Sequence, residues 1–216
     1  GTLTLFVFDG NGDAVLQRNF TAAEISGQTA TIPVPDAAPG QTYSFYAIAN
    51  GSALSGIGTL DDLRSQAESE IADYNGTFDE VTTKAKRSAG FTMTGSATKA
   101  IAAAGQTTTV QIALERLVSK VAVQATTDSK FAATYPGRVR IASATVSRAA
   151  SSVSYFDVGT SHSGGTQNRE HSGGTMPLFA AQTFSHTQAA KEQSGKYANL
   201  FYIYGNEDNM AAESVL

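Results

Sequence analysis

The sequence predicts an all-β protein of two tandem β-sandwich domains, with one short helix in the first domain. Most of the chain alternates apolar and polar residues between Gly-rich turns, as strands do, and only one stretch has helical periodicity. The segment 106–127 is the third observation, because it is rich in β-formers and too long for one strand of a sandwich. At about 3.3 Å per residue it would extend over roughly 70 Å.

The segment 106–127 also changes the face that it buries, and this change predicts a domain boundary. Its apolar residues occupy even positions in the first half and odd positions from Leu117 onward. Successive side chains of a strand point to opposite faces, so the two halves bury opposite faces. One strand that crosses between two sandwiches explains both features and predicts domains at 1–116 and 117–216. The second domain offers only about five strands, whereas a usual sandwich has about seven, so we expect it to be incomplete.

The N-terminal residues predict a β-hairpin. Leu3, Leu5 and Val7 alternate along the first strand, and an Asp-Gly-Asn-Gly turn follows that tolerates positive φ. The spacing of the turn carboxylates also fits the start of an EF-hand calcium loop. That alternative fails because the sixth position is Ala14 instead of Gly and the twelfth is Phe20 instead of Glu.

Residues 60–74 have the periodicity of an amphipathic helix. Thr59 and Asp62 are spaced like a capping box at its start, and Asn75 with Gly76 is a typical stop. The apolar stripe consists of Leu60, Leu63, Ala67, Ile71 and Tyr74. The acidic residues lie mostly off this stripe, so we interpret them as a solvated face and not as paired catalytic carboxylates.

The remaining β-prone segments supply the other strands of the two sandwiches. They lie at 29–35, 39–50, 89–98, 138–148, 152–159, 176–184 and 197–209. Pro33 and Pro35 favour a sheet edge for the first of them, because proline lacks the N–H that an interior strand donates. The sequence HSGGT occurs twice within 160–176, and its Gly and Ser content predicts a loop.

Composition excludes several classes of partner and site. The 216 residues carry a net charge of −4 without a Lys/Arg stripe, so no nucleic-acid partner is expected. No apolar run approaches the roughly 18 residues that indicate a transmembrane span. The chain has no Cys, which excludes disulfides and thiolate metal ligands. His162, His171 and His186 have no carboxylate at ligand spacing, so we interpret them as solvated loop residues and expect no metal.

Catalytic sequence patterns are missing as well, so we expect neither an enzyme nor a cofactor. The sequence contains no G-x-S-x-G nucleophile elbow, no P-loop and no dinucleotide-binding fingerprint. A hydrolase that uses His162 and His171 is the weakest alternative. Tyr202 and Tyr204 could form a sugar-binding surface, although core and cross-strand packing explains them better.

Five segments in a fixed order resemble one known family. They read TLTLFVFDGNGDAV, YSFYAIANGSALSGIGTLDDL, FTMTG, LERLVSKVAVQ and LFYIYGNEDN. Together they are similar to the fimbrillin family of Bacteroidetes, the major and minor subunits of type V pili. The match extends from about Thr2 to Asn209, and its most recognisable element is the strand with Arg116 and Lys120 four residues apart.

The resemblance implies a structural subunit of a cell-surface fimbria that serves adhesion. It implies two transthyretin-like sandwiches, a lipoprotein precursor exported to the outer membrane, and an Arg-specific protease that removes a first strand. A neighbouring subunit then inserts a strand into the opened groove, which is β-augmentation. Leu3, Leu5 and Val7 are expected to line this groove. The implied partners are other fimbrial subunits, with host or bacterial surface molecules as further ligands.

Arg116 and Lys120 lie at the predicted domain junction. Four residues apart on one strand, their side chains would share a face. We therefore predict that they pair with acidic residues of either domain and set the angle between the domains, in preference to binding a ligand.

Two alternatives remain open from the sequence. A tip or anchor subunit of the same family would share these motifs with a stalk subunit. A surface module that binds glycans through Tyr202 or Tyr204 would share the all-β pattern and would lose sugar binding when either tyrosine is replaced.

Overall fold

The computed structural model describes residues 1–25, 27–34, 38–103, 106–134, 137, 139–156 and 183–204. The chain divides into two compact units, and neither is continuous in sequence. Unit 1 consists of Gly1–Glu68, Ala89–Leu117 and Ser154–Gln167, and unit 2 of Ser69–Ser88, Val118–Val153 and Asn168–Leu216. The predicted domains 1–116 and 117–216 differ from these units in two segments. Residues 69–88 fall in the predicted first domain but belong to unit 2, and residues 154–167 fall in the predicted second domain but belong to unit 1.

Unit 1 is built on a five-stranded antiparallel sheet. Unit 1 as a whole contains six strands among the described residues: β1 (Thr2–Phe8), β2 (Ala14–Thr21), β3 (Thr42–Ala49), β4 (Ala67–Glu68), β5 (Met93–Ala100) and β6 (Glu115–Arg116). The order in the sheet is β2-β1-β3-β5-β6, and β4 lies outside it. The predicted hairpin of β1 and β2 is confirmed, with Leu3 opposite Phe20. On its other side β1 pairs with β3, so it is an interior strand.

The hairpin turn is held by one carboxylate. The Asp9 side chain accepts hydrogen bonds from the backbone N–H groups of Asn11 (2.9 Å) and Asp13 (3.0 Å). Gly12 has a φ of 87°, a conformation that glycine adopts without strain. The Asp-Gly-Asn-Gly sequence therefore acts as a turn, as predicted.

One face of this sheet carries the larger core of unit 1. Phe6 and Phe8 are fully buried there and pack with Ile48 and Phe156. The helix α1 (Leu60–Arg64) contributes Leu63, which is also fully buried. These aromatic and aliphatic side chains bury the even-numbered face of β1 at Phe6 and Phe8, whereas Thr2 is exposed and Thr4 is half-buried at the start of the strand.

The capping box predicted at the start of α1 is confirmed. The Thr59 hydroxyl accepts from the Asp62 N–H at 3.1 Å, and the Asp62 carboxylate accepts from the Thr59 N–H at 2.8 Å. Hydrogen bonds from the Thr59 side chain and backbone lower the pKa of Asp62 below its ordinary value. A short 3-10 helix at Ala22–Glu24 starts with a similar box.

The prediction of one continuous helix over 60–74 is wrong. After α1 the chain turns, because the Ser65 hydroxyl and the Gln66 amide both donate to the Asp62 carbonyl. The strand β4 intervenes, and a separate helix α2 (Ile71–Tyr74) belongs to unit 2. Leu63 is buried in unit 1, whereas Ile71 and Tyr74 are buried in unit 2. The first part of the apolar stripe is therefore buried in unit 1 and its last part in unit 2.

The prediction of one strand over 106–127 is also wrong. β6 ends at Arg116, Leu117 forms a bend, and β7 (Val118–Thr126) begins in unit 2. The Leu117 N–H donates to the Thr92 carbonyl of unit 1 at 3.1 Å, which fixes the bend. The buried face changes because the two strands belong to different sheets.

Unit 2 contains two small antiparallel sheets. Besides α2, unit 2 has the helices α3 (Phe78–Val81) and α4 (Ser129–Thr134). Besides β7, it has the strands β8 (Ser143–Ala150), β9 (Val153–Ser154), β10 (Thr183–Ala189), β11 (Lys191–Gln193) and β12 (Lys196–Tyr204). The second residue of β9 belongs to unit 1. One sheet has the order β11-β12-β7 and the other pairs β10 with β8. Val146, Ala149 and Phe201 are buried together as the core of the unit.

The other predicted strands have mixed outcomes. The segments at 39–50, 89–98, 138–148 and 197–209 overlap β3, β5, β8 and β12. The predicted strand at 29–35 is wrong in its described part, because residues 30–34 join no ladder. The segment at 152–159 contains β9, and its residues 157–159 lie outside the described residues. Most of 176–184 and the HSGGT repeats lie outside them as well.

Gly95 of β5 is predicted to be intolerant of a side chain. A Cβ at this position would lie 2.0 Å from the Ala113 carbonyl oxygen, which is too close for any contact. We expect Gly95→Ala to lower the free energy of unfolding by about 1–3 kcal/mol, because the segment around Ala113 must move away from the sheet. Urea denaturation measures this change.

Gly10→Ala is the matched control. No atom lies within 4 Å of a Cβ at Gly10, so its effect should stay within about 0.5 kcal/mol. Equal unfolding midpoints for the two variants would contradict the close approach at Gly95.

Candidate functional site

The second face of the unit 1 sheet is incompletely covered at the start of β1. β1 presents Leu3, Leu5 and Val7 to this face. Val7 is fully buried with Tyr43, but Leu3 and Leu5 are only half-buried. The sequence prediction that these three side chains share one face is therefore confirmed by the register of β1, and two of them retain exposed apolar surface.

Two stretches of irregular chain flank this face. In residues 30–34, Ile32 and Val34 pack on the core while Thr31 and Pro33 are exposed. Residues 106–114 behave in the same way, with Val110 and Ile112 packed inward. Both stretches have the period-two burial of strands, but in the part of the chain that the structure describes neither joins a ladder.

The edge of β5 opens beside the second of these stretches. β6 pairs only with Met93 and Thr94, so the backbone of β5 from Gly95 to Ala100 has a strand on one side only. A cleft of about 370 Å³ lies at this edge. It is lined by Ala97, Thr98, Lys99, Thr109, Val110 and Gln111. Chemically, the region offers backbone hydrogen-bonding groups beside half-covered apolar side chains, which an extended peptide can use.

The start of β1 is held in place by Asn50. This residue adopts the left-handed conformation (φ 58°) and its N–H donates to the Thr2 carbonyl at 2.9 Å. Its side-chain oxygen accepts from the Thr2 N–H, and its amide nitrogen donates to the Phe91 carbonyl at 2.9 Å. One side chain therefore fastens the end of β1 beside the chain that leads into β5.

Arg116 and Lys120 lie in different units. The Arg116 guanidinium lies 4.6 Å from the centre of the Phe91 ring in unit 1. The Lys120 ammonium donates to the Thr82 carbonyl at 3.1 Å and lies 6.0 Å from the Tyr202 ring centre in unit 2. Within the described residues, neither forms the ion pair with an acid that the sequence suggested. A role in setting the angle between domains stays a prediction.

The residues considered for sugar and metal binding have other surroundings. Tyr202 and Tyr204 are 2% and 1% exposed, so neither offers a ring face to a sugar. His186 is part-buried, and its Nε2 donates to the Gly76 carbonyl at 3.1 Å. His162 and His171 lie outside the described residues. No group of three His, Cys, Asp or Glu among the described side chains could hold a metal ion.

The arrangement defines a class of protein: a β-sandwich subunit whose first unit has a half-covered apolar face beside unpaired backbone. The family model "Fimbrillin-A associated anchor proteins Mfa1 and Mfa2" matches residues 1–172. The chain belongs to this family of fimbrial proteins, and the resemblance to the fimbrillins is confirmed. No helix among the described residues has both the length and the apolar character of a membrane span.

Solved structures of fimbrial proteins are similar to this chain at low sequence identity. A fimbrial assembly protein from Parabacteroides distasonis superposes with a TM-score of 0.50 at 13% identity, covering 95% of this chain and 80% of that one. The fimbrial anchor protein Mfa2 from Porphyromonas gingivalis gives 0.48 at 12% identity, covering 96% and 66%. The C-terminally truncated tip fimbrial protein Mfa3 from the same organism gives 0.41 at 15%, covering 94% and 62%. No curated protein matches the sequence.

Arg116 is predicted to stabilise unit 1 through the Phe91 ring. We expect Arg116→Ala to lower the free energy of unfolding by about 0.5–1 kcal/mol, the usual size of an exposed cation–π contact. Arg116→Lys retains the charge and should lose less. Urea denaturation with the ring proton shifts of Phe91 measures both effects, and an unchanged shift in Arg116→Ala would contradict the contact.

The cap of α3 in unit 2 predicts an acid-sensitive contribution to stability. The Glu80 carboxylate accepts from the Thr77 N–H (2.8 Å) and hydroxyl (3.0 Å), and these bonds lower the pKa of Glu80. A lowered pKa in the folded state gives stability that is complete above the unfolded value of about 4.3 and is lost as the pH falls through the folded value. Glu80→Gln should therefore lose less stability than the parent on acidification below about pH 4.

Thermal melting at neutral and acid pH tests this expectation. Glu192→Gln, which changes an exposed carboxylate on β11, is the control. If Glu80→Gln and the parent lost stability in parallel on acidification, the cap would carry no charge-dependent contribution.

Proposed function

We propose that the chain is a non-enzymatic fimbrial subunit that receives an extended strand from a neighbouring subunit on the half-covered face of unit 1. The match to a family of fimbrial anchor proteins supports the role of a fimbrial subunit at the cell surface. The observation that carries the finer proposal is the pair of stretches, 30–34 and 106–114, with strand-like burial and no ladder. An inserted strand would supply the partner that both stretches lack.

The side chains on the floor of this face are suited to such a strand. Leu3 and Leu5 are half-buried, so alternate apolar side chains of a donor would complete their burial beside Val7. Each added backbone hydrogen bond contributes about 0.5–1.5 kcal/mol net, and a strand makes several. β1 itself is paired on both sides, so the donor contacts its side chains and does not pair with its backbone.

The family resemblance supports the remaining steps of the proposal. We propose that the subunit is exported as a lipoprotein precursor to the outer membrane and that an Arg-specific protease removes a preceding strand. Removal would expose the face with Leu3 and Leu5, and a neighbour's strand would then cover it. The assembled fimbria would serve adhesion to host or bacterial surfaces.

Proteolytic assembly is tested on the complete reading frame that encodes this chain. The purified protein is treated with an Arg-specific protease and run unboiled on a denaturing gel. We expect a ladder of multimers that collapses to monomer on boiling, because strand exchange is non-covalent and kinetically stable. Persistent monomer after confirmed cleavage would contradict strand exchange.

A second test locates the groove. The chain contains no Cys, so each introduced thiol is a unique label. We expect maleimide to label Leu5→Cys in the free subunit and to label it much more slowly in the assembled fimbria, because a donor strand covers that side chain. Asn11→Cys, at the exposed hairpin turn, should react equally in both states. If the labelling rate of Leu5→Cys does not change on assembly, the groove lies elsewhere.

A further inference from the structure

The strand β12 in unit 2 has an edge that a neighbouring strand covers only in part. On one side it pairs with β7 along its whole length, from Lys196 to Tyr204. On the other side β11 reaches only as far as Ala198. Beyond Ala198 the backbone of β12 would be open to the addition of another strand.

Two carboxamide side chains occupy this edge. The Gln188 amide donates to the Leu200 carbonyl at 3.0 Å, and its oxygen accepts from the Leu200 N–H at 2.8 Å. The Asn75 amide and oxygen make the same pair of bonds with the Tyr202 carbonyl and N–H, both at 2.9 Å. A carboxamide has the hydrogen-bonding groups of a peptide. Leu200 and Tyr202, two residues apart, are thus bound as a neighbouring strand would bind them.

Both carboxamides are held rigidly. Asn75 and Gln188 are each 2% exposed. The Asn75 amide also donates to the Ile71 carbonyl at 3.0 Å, and the Gln188 amide to the Gly76 carbonyl at 2.8 Å. An incoming strand would have to displace them, leaving buried polar groups without partners, which is costly.

The segment that carries Asn75 is itself tied to unit 2. The Glu70 N–H donates to the Tyr204 hydroxyl at 3.0 Å. The buried Arg87 guanidinium pairs with the Glu70 carboxylate at 2.7 Å and donates to the Tyr74 hydroxyl at 2.9 Å. Residues 69–88 therefore cover the edge of β12 and are held there by these contacts within unit 2.

We infer that Asn75 and Gln188 determine which edge of the protein takes a strand, by closing β12 against strand addition with the chain's own side chains. The closure of the β12 edge is argued from the hydrogen bonds of these two side chains to Leu200 and Tyr202. Its consequence, that strand exchange is confined to unit 1, rests on the proposed function. Unit 1 has no comparable carboxamide pair bound to residues 30–34 or 106–114 among the described hydrogen bonds.

The test removes the two carboxamides from the β12 edge and then adds a peptide that can pair with this edge. The probe is a fluorescent peptide of the β7 sequence VSKVAVQAT, which pairs with β12 in the folded chain. The complete chain is compared with the double variant Asn75→Ala, Gln188→Ala. The control is Gln17→Ala, which removes a carboxamide that donates to the Leu54 carbonyl in unit 1. Amide hydrogen exchange of Leu200 and Tyr202 is followed by NMR with and without the peptide.

We expect Leu200 and Tyr202 to exchange about 10- to 100-fold faster in the double variant and to regain protection when the peptide binds. In the parent chain and in Gln17→Ala, the peptide should not change the exchange of Leu200 and Tyr202. Unchanged exchange at these amides would show that the carboxamides do not close the edge. An opened edge at which the peptide restores no protection, or protection of Leu200 and Tyr202 by the peptide to the same degree in the parent, would also overturn the inference.

Asn75→Asp keeps the test decisive if the double variant does not fold. The new carboxylate accepts from the Tyr202 N–H but repels the Tyr202 carbonyl until it is protonated. We expect the Tyr202 amide, relative to the Phe201 amide, to lose protection as the pH rises through the pKa of the new group. A ratio that does not depend on pH would overturn the inference. Neither outcome depends on the groove of unit 1, so the proposed function is tested separately.

Discussion

Backbone N–H and C=O groups at a strand edge must be paired, covered or left in water, and this constraint organises both units. In unit 2 the open half of the β12 edge is paired by the carboxamides of Asn75 and Gln188. Residues 69–88 are recruited for this purpose from a stretch of sequence whose neighbours on both sides belong to unit 1. The placement of residues 69–88 in unit 2 supplies part of that cover through Asn75.

Unit 1 meets the same constraint differently. Its sheet buries Phe6 and Phe8 fully on one face, but leaves Leu3 and Leu5 half-covered on the other. The chain beside that face has the burial pattern of strands without their ladders. A protein that assembles by strand exchange needs one incomplete surface and must protect all others from unwanted pairing. The contrast between the two units supports the proposed role as a fimbrial subunit.

Local signals in the sequence predicted local structure well. The alternation around Leu3, the Asp-Gly-Asn-Gly turn and the Thr59 cap each depend on neighbouring residues, and each is present in the structure. The apolar residues from Leu60 to Tyr74 predicted one continuous helix, which is wrong. Helical periodicity does not reveal that Leu63 and Tyr74 are buried in different units. Asn75 followed by Gly76 carries the signal of a helix end, and its pairing with Tyr202 is a contact across 127 residues that no local pattern can indicate.

Hydrogen–deuterium exchange of the unmodified protein, as free subunit and as purified fimbria, tests most directly whether strand addition is confined to unit 1. Strand insertion should slow the exchange of residues 30–34 and 106–114 on assembly, while the amides of β12 exchange slowly in both states. Protection gained at β12, or no gain at the two unit 1 stretches, would contradict a groove in unit 1 and a closed edge in unit 2.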